Sequence, residues 1–146
     1  MSRMQDRQGE FRLALVVEPK KLHGVRHDLA DRLASWGLVE LVDDSLKIAT
    51  ELLTNAYRHA GGRAVLFLQM SSGLLRITVS DRSHELPVIQ CPDWMTESGR
   101  GMALVASLAS ELRVVPTADG KDVEVTLVCH PPAAGTVVAS RVRCTA

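Results

Sequence analysis

In the stretch FRLALVV, Phe11, Leu13, Leu15 and Val17 alternate onto one face, the period of a half-buried β-strand. The period then lengthens. Leu22, Val25, Leu29, Leu33 and Trp36 recur at three- and four-residue steps through EPKKLHGVRHDLADRLASWGL, which predicts an amphipathic helix with these residues as its buried stripe. A second helix is predicted from about Val42 to Ala60, carried by Leu46, Ala49, Leu53 and Ala56, with Gly61 and Gly62 as its stop. RAVLFLQM and LLRITVSD flank a Ser-Ser-Gly turn and read as a hairpin. From Arg82 to about Arg100 there are two prolines and little periodicity; a loop of that length inside a small domain is usually functional or mobile. A short helix begins near Gly101 with Met102, Val105 and Leu108 on one face, and LRVVPT and DVEVTLVC close the domain around the turn ADGK. This leaves residues 11–130 as the domain, with 1–10 and 131–146 as tails.

Composition narrows the class. At 146 residues the chain suits one domain with a proper core. Seventeen basic residues balance seventeen acidic ones, so no net charge draws the chain to nucleic acid or an anionic membrane. The longest apolar run, AVLFLQM, is far shorter than a membrane span, and MSRMQDRQGE has no apolar signal core. The expected location is the cytoplasm. Cys91, Cys129 and Cys144 are odd in number and lack CxxC spacing, which favours reduced thiols over a disulfide framework or zinc site. His23 and His27 stand four apart on the first helix, but with no third ligand nearby a solvated face is expected.

The chemistry concentrates in three places. Within TELLTNAYRHAGG, Glu51, Asn55 and His59 recur every fourth residue and fall on one side of the second helix. In LLRITVSD, Asp81 shares the inward parity of Leu75, Ile77 and Val79. A buried carboxylate requires a hydrogen-bonding partner, and position leaves two open: the protein's own backbone, or the exocyclic amine of a bound base. Finally, ESGRGMALV places Gly99 and Gly101 before a helix whose first N–H groups and positive dipole end suit a phosphate. Alone this is a weak signal, since most such glycines are only turns.

The order of these pieces resembles the nucleotide site of the GHKL (histidine kinase-like) ATPase superfamily: an E-x-x-x-N-x-x-x-H helix, a strand ending in Asp, a long loop, then GRG opening a helix. In particular it is similar to the bacterial anti-sigma-factor serine/threonine kinases and their small single-domain relatives, whose pattern ELxTNAxRHAGG matches Glu51–Gly62 almost residue for residue. The resemblance covers roughly Phe11 to Cys129. It implies an α/β two-layer sandwich, a mixed β-sheet with helices on one face (the Bergerat fold), binding ATP and Mg²⁺ between the helices and the lid loop. Carried over, Asn55 would coordinate Mg²⁺, Glu51 would orient or deprotonate an attacking hydroxyl, and Asp81 would accept a hydrogen bond from the adenine amine. Gly99, Arg100 and Gly101 would wrap the phosphates, with Met102 beside them. His59 would either reach toward the phosphates or cap its helix. Ser83 stands where the superfamily usually has glycine, and small relatives often tolerate serine there. His84 and Glu85 fall in the lid without an assigned role.

Two functions follow from the resemblance. In one, the protein is an anti-sigma factor that holds a sigma factor and phosphorylates a serine or threonine of an anti-anti-sigma (STAS-type) partner; Glu51 favours this reading. In the other it is a non-catalytic nucleotide-binding module that sequesters a protein partner. The family analogy also suggests a homodimer.

Overall fold

The computed structural model describes residues 3–7, 9–84, 100–129 and 141–144. Along these residues run β1 (Arg3–Arg7), β2 (Glu10–Val16), α1 (Leu22–Ser35), α2 (Val42–His59), β3 (Arg63–Ser71), β4 (Leu74–Asp81), α3 (Arg100–Leu108), β5 (Glu111–Pro116), β6 (Lys121–Val128) and β7 (Arg141–Cys144). The strands make a single sheet in the order β1-β2-β3-β4-β6-β5-β7. Its pairings are antiparallel apart from β5 with β7, which is parallel, so the sheet is mixed.

Side-chain alternation along these strands divides the sheet into two unlike faces. Leu13, Leu66, Val79, Val123 and Val114 are successive partners across five strands, and all are buried. One residue along, Arg12 and Arg113 lie exposed on the opposite face. The buried face shares one core with the helices, through Leu29 and Leu33 of α1, Ile48 and Leu52 of α2, and Val105 of α3. Each fully buried Leu or Ile contributes about 1.5–3 kcal/mol relative to exposure. Arg32 of α1 also sits over the Phe11 ring, 5.4 Å from its centroid.

Helix α2 positions the site. It buries Ser45, Ile48, Ala49, Leu52, Leu53 and Ala56, and its end charges complement the helix dipole, with Asp43 and Asp44 in the first turn and Arg58 and His59 in the last. Gly61 and Gly62 end it at φ +69° and +87°, values that glycine adopts without strain. The Gly62 N–H reaches back to the Ala56 carbonyl at 3.3 Å, while its own carbonyl accepts from Val17 N–H at 2.6 Å, tying the helix end to the strand β2 side of the sheet.

The hydrophobic pattern placed no strand in either of the stretches read as tails, yet β1 pairs with β2 and β7 with β5. Both are short edge strands rich in charge, RMQDR and RVRC. Backbone pairing defines them, and charged residues are common on edges because they discourage further pairing. Of the expected lid loop, residues 85–99 lie outside the described residues, and with them Glu85, Cys91 and Gly99. Among the described residues no helix is long and apolar enough to cross a membrane.

Candidate functional site

The Glu51–Asn55–His59 stripe borders the buried face of α2, because Leu52, Leu53 and Ala56 beside it are in the core. Glu51 and Asn55 are consequently half-buried, and His59 in the last turn is exposed. Helix α3 packs against α2. At their contact, a Cβ added to Gly101 would collide with the Glu51 carboxylate. The side chain of Glu51 therefore lies against the first turn of α3, where N–H groups without intrahelical partners and the positive dipole end favour an anion. Asn55 follows one helical turn along the same side of α2.

Met102 has a different place. It is 6% exposed and part of the core cluster, so its side chain packs α3 onto the core. Arg100 opens α3.

At the far end of the site, Asp81 closes strand β4 on the helix-covered face, as its parity requires. Its Oδ1 accepts from the Ser83 backbone N–H at 2.9 Å, an Asx-type turn that fixes the chain leaving the strand. The larger partner is Lys121, the first residue of β6 and the register partner of Asp81. Its Nζ lies 2.9 Å from Oδ2 and 3.0 Å from Oδ1, with the two side chains 1% and 2% exposed for Lys121 and Asp81. Lys121 Nζ also donates to the Ser83 carbonyl at 3.4 Å. Gly120 permits this closeness: a Cβ there would overlap the Asp81 carbonyl oxygen and come 2.6 Å from Arg82 Cα.

Sequence reasoning missed Lys121. Of the two partners open for Asp81, the backbone is present through Ser83, and a lysine outside both alternatives is present too. The signal was available: Lys121 shares its parity with the buried Val123, Val125 and Leu127, and a charged residue on an inward parity calls for an opposite charge.

The other candidates lie apart from this constellation. His27 Nε2 is 3.4 Å from Asp31 Oδ2 on the exposed side of α1. Among the described residues, no three His, Cys, Asp or Glu side chains group as a metal site. A cavity of about 660 Å³ lies between the α1–α2 connection and the β3–β4 turn, lined by Trp36, Leu38, Leu41, Met70 and Cys129 among others. Burial pushes the Cys129 thiol above its ordinary pKa, which lowers its thiolate fraction.

The chain matches the family described as Histidine kinase-like ATPase domain over residues 15–127. That span is more than half of the chain and runs from β2 to the end of β6, through every described element of the site; the protein belongs to this family of ATP-binding domains. A comparison with curated proteins found no match.

The residues present fit the phosphate end of a Mg²⁺-bound ATP. The Glu51 carboxylate fills the space that Gly101 leaves at the first turn of α3, so phosphates would meet the N–H groups of that turn beside it, and the half-buried Asn55 amide offers the hard oxygen that Mg²⁺ prefers, with phosphates and waters needed to complete the coordination. The base end that the resemblance assigns to Asp81 is different, because that carboxylate already has a cationic partner in Lys121.

Proposed function

We propose that this domain binds Mg·ATP between α2 and α3 and acts as an anti-sigma factor. In this reading it sequesters a sigma factor and phosphorylates a serine or threonine on a STAS-type anti-anti-sigma partner, so that phosphorylation switches which partner is held. The observation that carries it is the placement of the Glu51 carboxylate against Gly101, with Asn55 one turn away on the same side of α2. A carboxylate at the start of the helix expected to hold phosphates stands where an acceptor hydroxyl would approach them.

Each residue then has a separate task. Asn55 holds the metal through its amide oxygen. The first turn of α3, with Arg100, receives the phosphates through N–H groups and positive charge. Glu51 orients the incoming hydroxyl and takes its proton as the new oxygen–phosphorus bond forms. The bound nucleotide supplies the phosphoryl group and, with its metal, a leaving group whose charge is neutralised. Because such transfers proceed through a loose transition state, positioning and charge do most of the catalysis.

The second reading, a nucleotide-binding module that sequesters a partner without turnover, draws on the Asp81–Lys121 pair, which places an internal cation on the carboxylate expected to read the base. One experiment separates them: capture of partners from a lysate of the source cells, followed by incubation with radiolabelled ATP and Mg²⁺. Label on a captured small protein, lost on Glu51→Ala, is expected for the kinase. Tight partner capture and ATP binding with no label on any protein would establish the non-catalytic module.

A further inference from the structure

We propose that Lys121 is the specificity-determining residue at the base end of this site. Its ammonium occupies Asp81 as an internal substitute for the amine of a bound base, so nucleotides bind through their phosphates with little discrimination between adenine and guanine. The inference rests on the nucleotide-binding reading above.

Hydrogen-bond capacity is the first argument. A carboxylate has about four acceptor directions and an ammonium three donors. Lys121 engages both oxygens of Asp81, at 2.9 and 3.0 Å, and Ser83 N–H takes a further direction on Oδ1. The remaining reach of Lys121 goes to the Ser83 carbonyl at 3.4 Å. The ammonium is thus fully directed at protein atoms, and the carboxylate retains at most a minor share of its capacity for a ligand.

Access and exchange energy point the same way. The two side chains are 1% and 2% exposed, so an adenine amine reaches Asp81 only by displacing Lys121. That exchange replaces an ion pair by a hydrogen bond from a neutral donor to the carboxylate, and it leaves the Lys121 ammonium without its counter-charge. Gly120 also seats the start of β6 directly on the backbone of Asp81 and Arg82, which holds Lys121 close to the carboxylate. Guanine is affected in the opposite sense. A bare carboxylate would repel its carbonyl oxygen, but a carboxylate neutralised by Lys121 does so far less, which removes the penalty that would otherwise exclude it. The phosphate end, built from Asn55 and the start of α3, is untouched by this pairing.

The test is calorimetry on the full chain with Mg·ATP, Mg·GTP and adenosine, for the wild type and Lys121→Met. Methionine keeps most of the apolar stem and removes the ammonium, leaving Asp81 open to a base. In the wild type, ATP and GTP dissociation constants are expected within about threefold of each other, with no detectable heat from adenosine. In Lys121→Met, ATP binding should tighten by about tenfold or more while GTP binding does not, the change expected when a hydrogen bond to a charged acceptor becomes available to adenine alone. A wild-type preference for ATP of about tenfold or more, or an ATP-to-GTP ratio unchanged by Lys121→Met, overturns the proposal and leaves the nucleotide site intact. Absence of binding by either nucleotide to either protein overturns the nucleotide reading and this proposal together. Thermal melts establish that the variant is folded; should it not fold, the wild-type ratio decides alone.

Discussion

Lys121 and Asp81 face each other across strands β6 and β4 at 2.9 Å, with almost no solvent contact for either side chain. Removing one partner leaves the other as a buried charge, whose desolvation is then uncompensated. Asp81→Asn and Lys121→Met are each expected to lower stability by about 3–5 kcal/mol, while the double variant Asp81→Asn/Lys121→Met loses less than the sum of the two. Urea denaturation of the four proteins closes the cycle. Additive losses would mean that the pair contributes no coupling and that each residue is held by its other neighbours.

Asn55 and Glu51 share one side of α2 but have different tasks in the proposed chemistry. Asn55→Ala should abolish the Mg²⁺-dependent part of nucleotide binding and every activity that needs it. Glu51→Ala should retain nucleotide and partner binding and lose about 10²–10⁴-fold in phosphoryl transfer, the range for a removed general base. Calorimetry beside a label-transfer assay reads both. Loss of nucleotide affinity in Glu51→Ala equal to that in Asn55→Ala would show that Glu51 belongs to the binding site instead of the transfer step.

Gly101 offers a way to move Glu51 without replacing it. The atom a Cβ would strike there is the free end of the glutamate side chain, which can yield without backbone movement. Gly101→Ala should therefore keep its melting temperature, or raise it slightly because alanine has less conformational freedom to lose on folding than glycine. Transfer activity should fall all the same, because the carboxylate is pushed from the α3 start. A folded Gly101→Ala with wild-type transfer rate would show that the Glu51 position is immaterial to the reaction.

How much of this was legible in the sequence depends on the range of the interaction. Local periodicity placed α2 at Val42–His59 to within a residue and put Asp81 on the buried parity of Leu75, Ile77 and Val79. It also grouped Met102 and Val105 on one face of α3, which the structure buries, although the resemblance had set Met102 beside the phosphates. Lys121 was lost because the turn ADGK absorbed it, and because its pairing with Asp81 needs the β4–β6 register, a contact between residues far apart in sequence. The strands β1 and β7 were lost for another reason: RMQDR has no hydrophobic alternation, and the alternation in RVRC runs over only four residues, too few to mark a strand that backbone pairing defines. The contact between Glu51 and Gly101 likewise depends on how α3 packs against α2, which helical spacing alone does not specify.

Two glycine-to-alanine changes should act in opposite directions, and for reasons visible at each site. Gly24 lies inside α1 with nothing within 4 Å of an added Cβ and no left-handed φ, so alanine gains helix propensity at no steric cost. Gly24→Ala should stabilise the domain by about 0.4–1 kcal/mol. Gly120 precedes β6, and its added Cβ would overlap backbone atoms of Asp81 and Arg82. Backbone cannot swing aside as a side chain can, so the β5–β6 turn must lift away from the end of β4. Gly120→Ala should cost about 1–3 kcal/mol, the usual penalty of overpacking. It should also loosen the Asp81–Lys121 pair that the close approach maintains, since Lys121 is the next residue. Denaturant midpoints measure the stability of both variants, and the ATP-to-GTP affinity ratio of Gly120→Ala reports on the pair. If Gly120→Ala were as stable as the wild type with an unchanged ratio, the turn would be free to move, and Gly120 would have no part in holding Lys121 against Asp81.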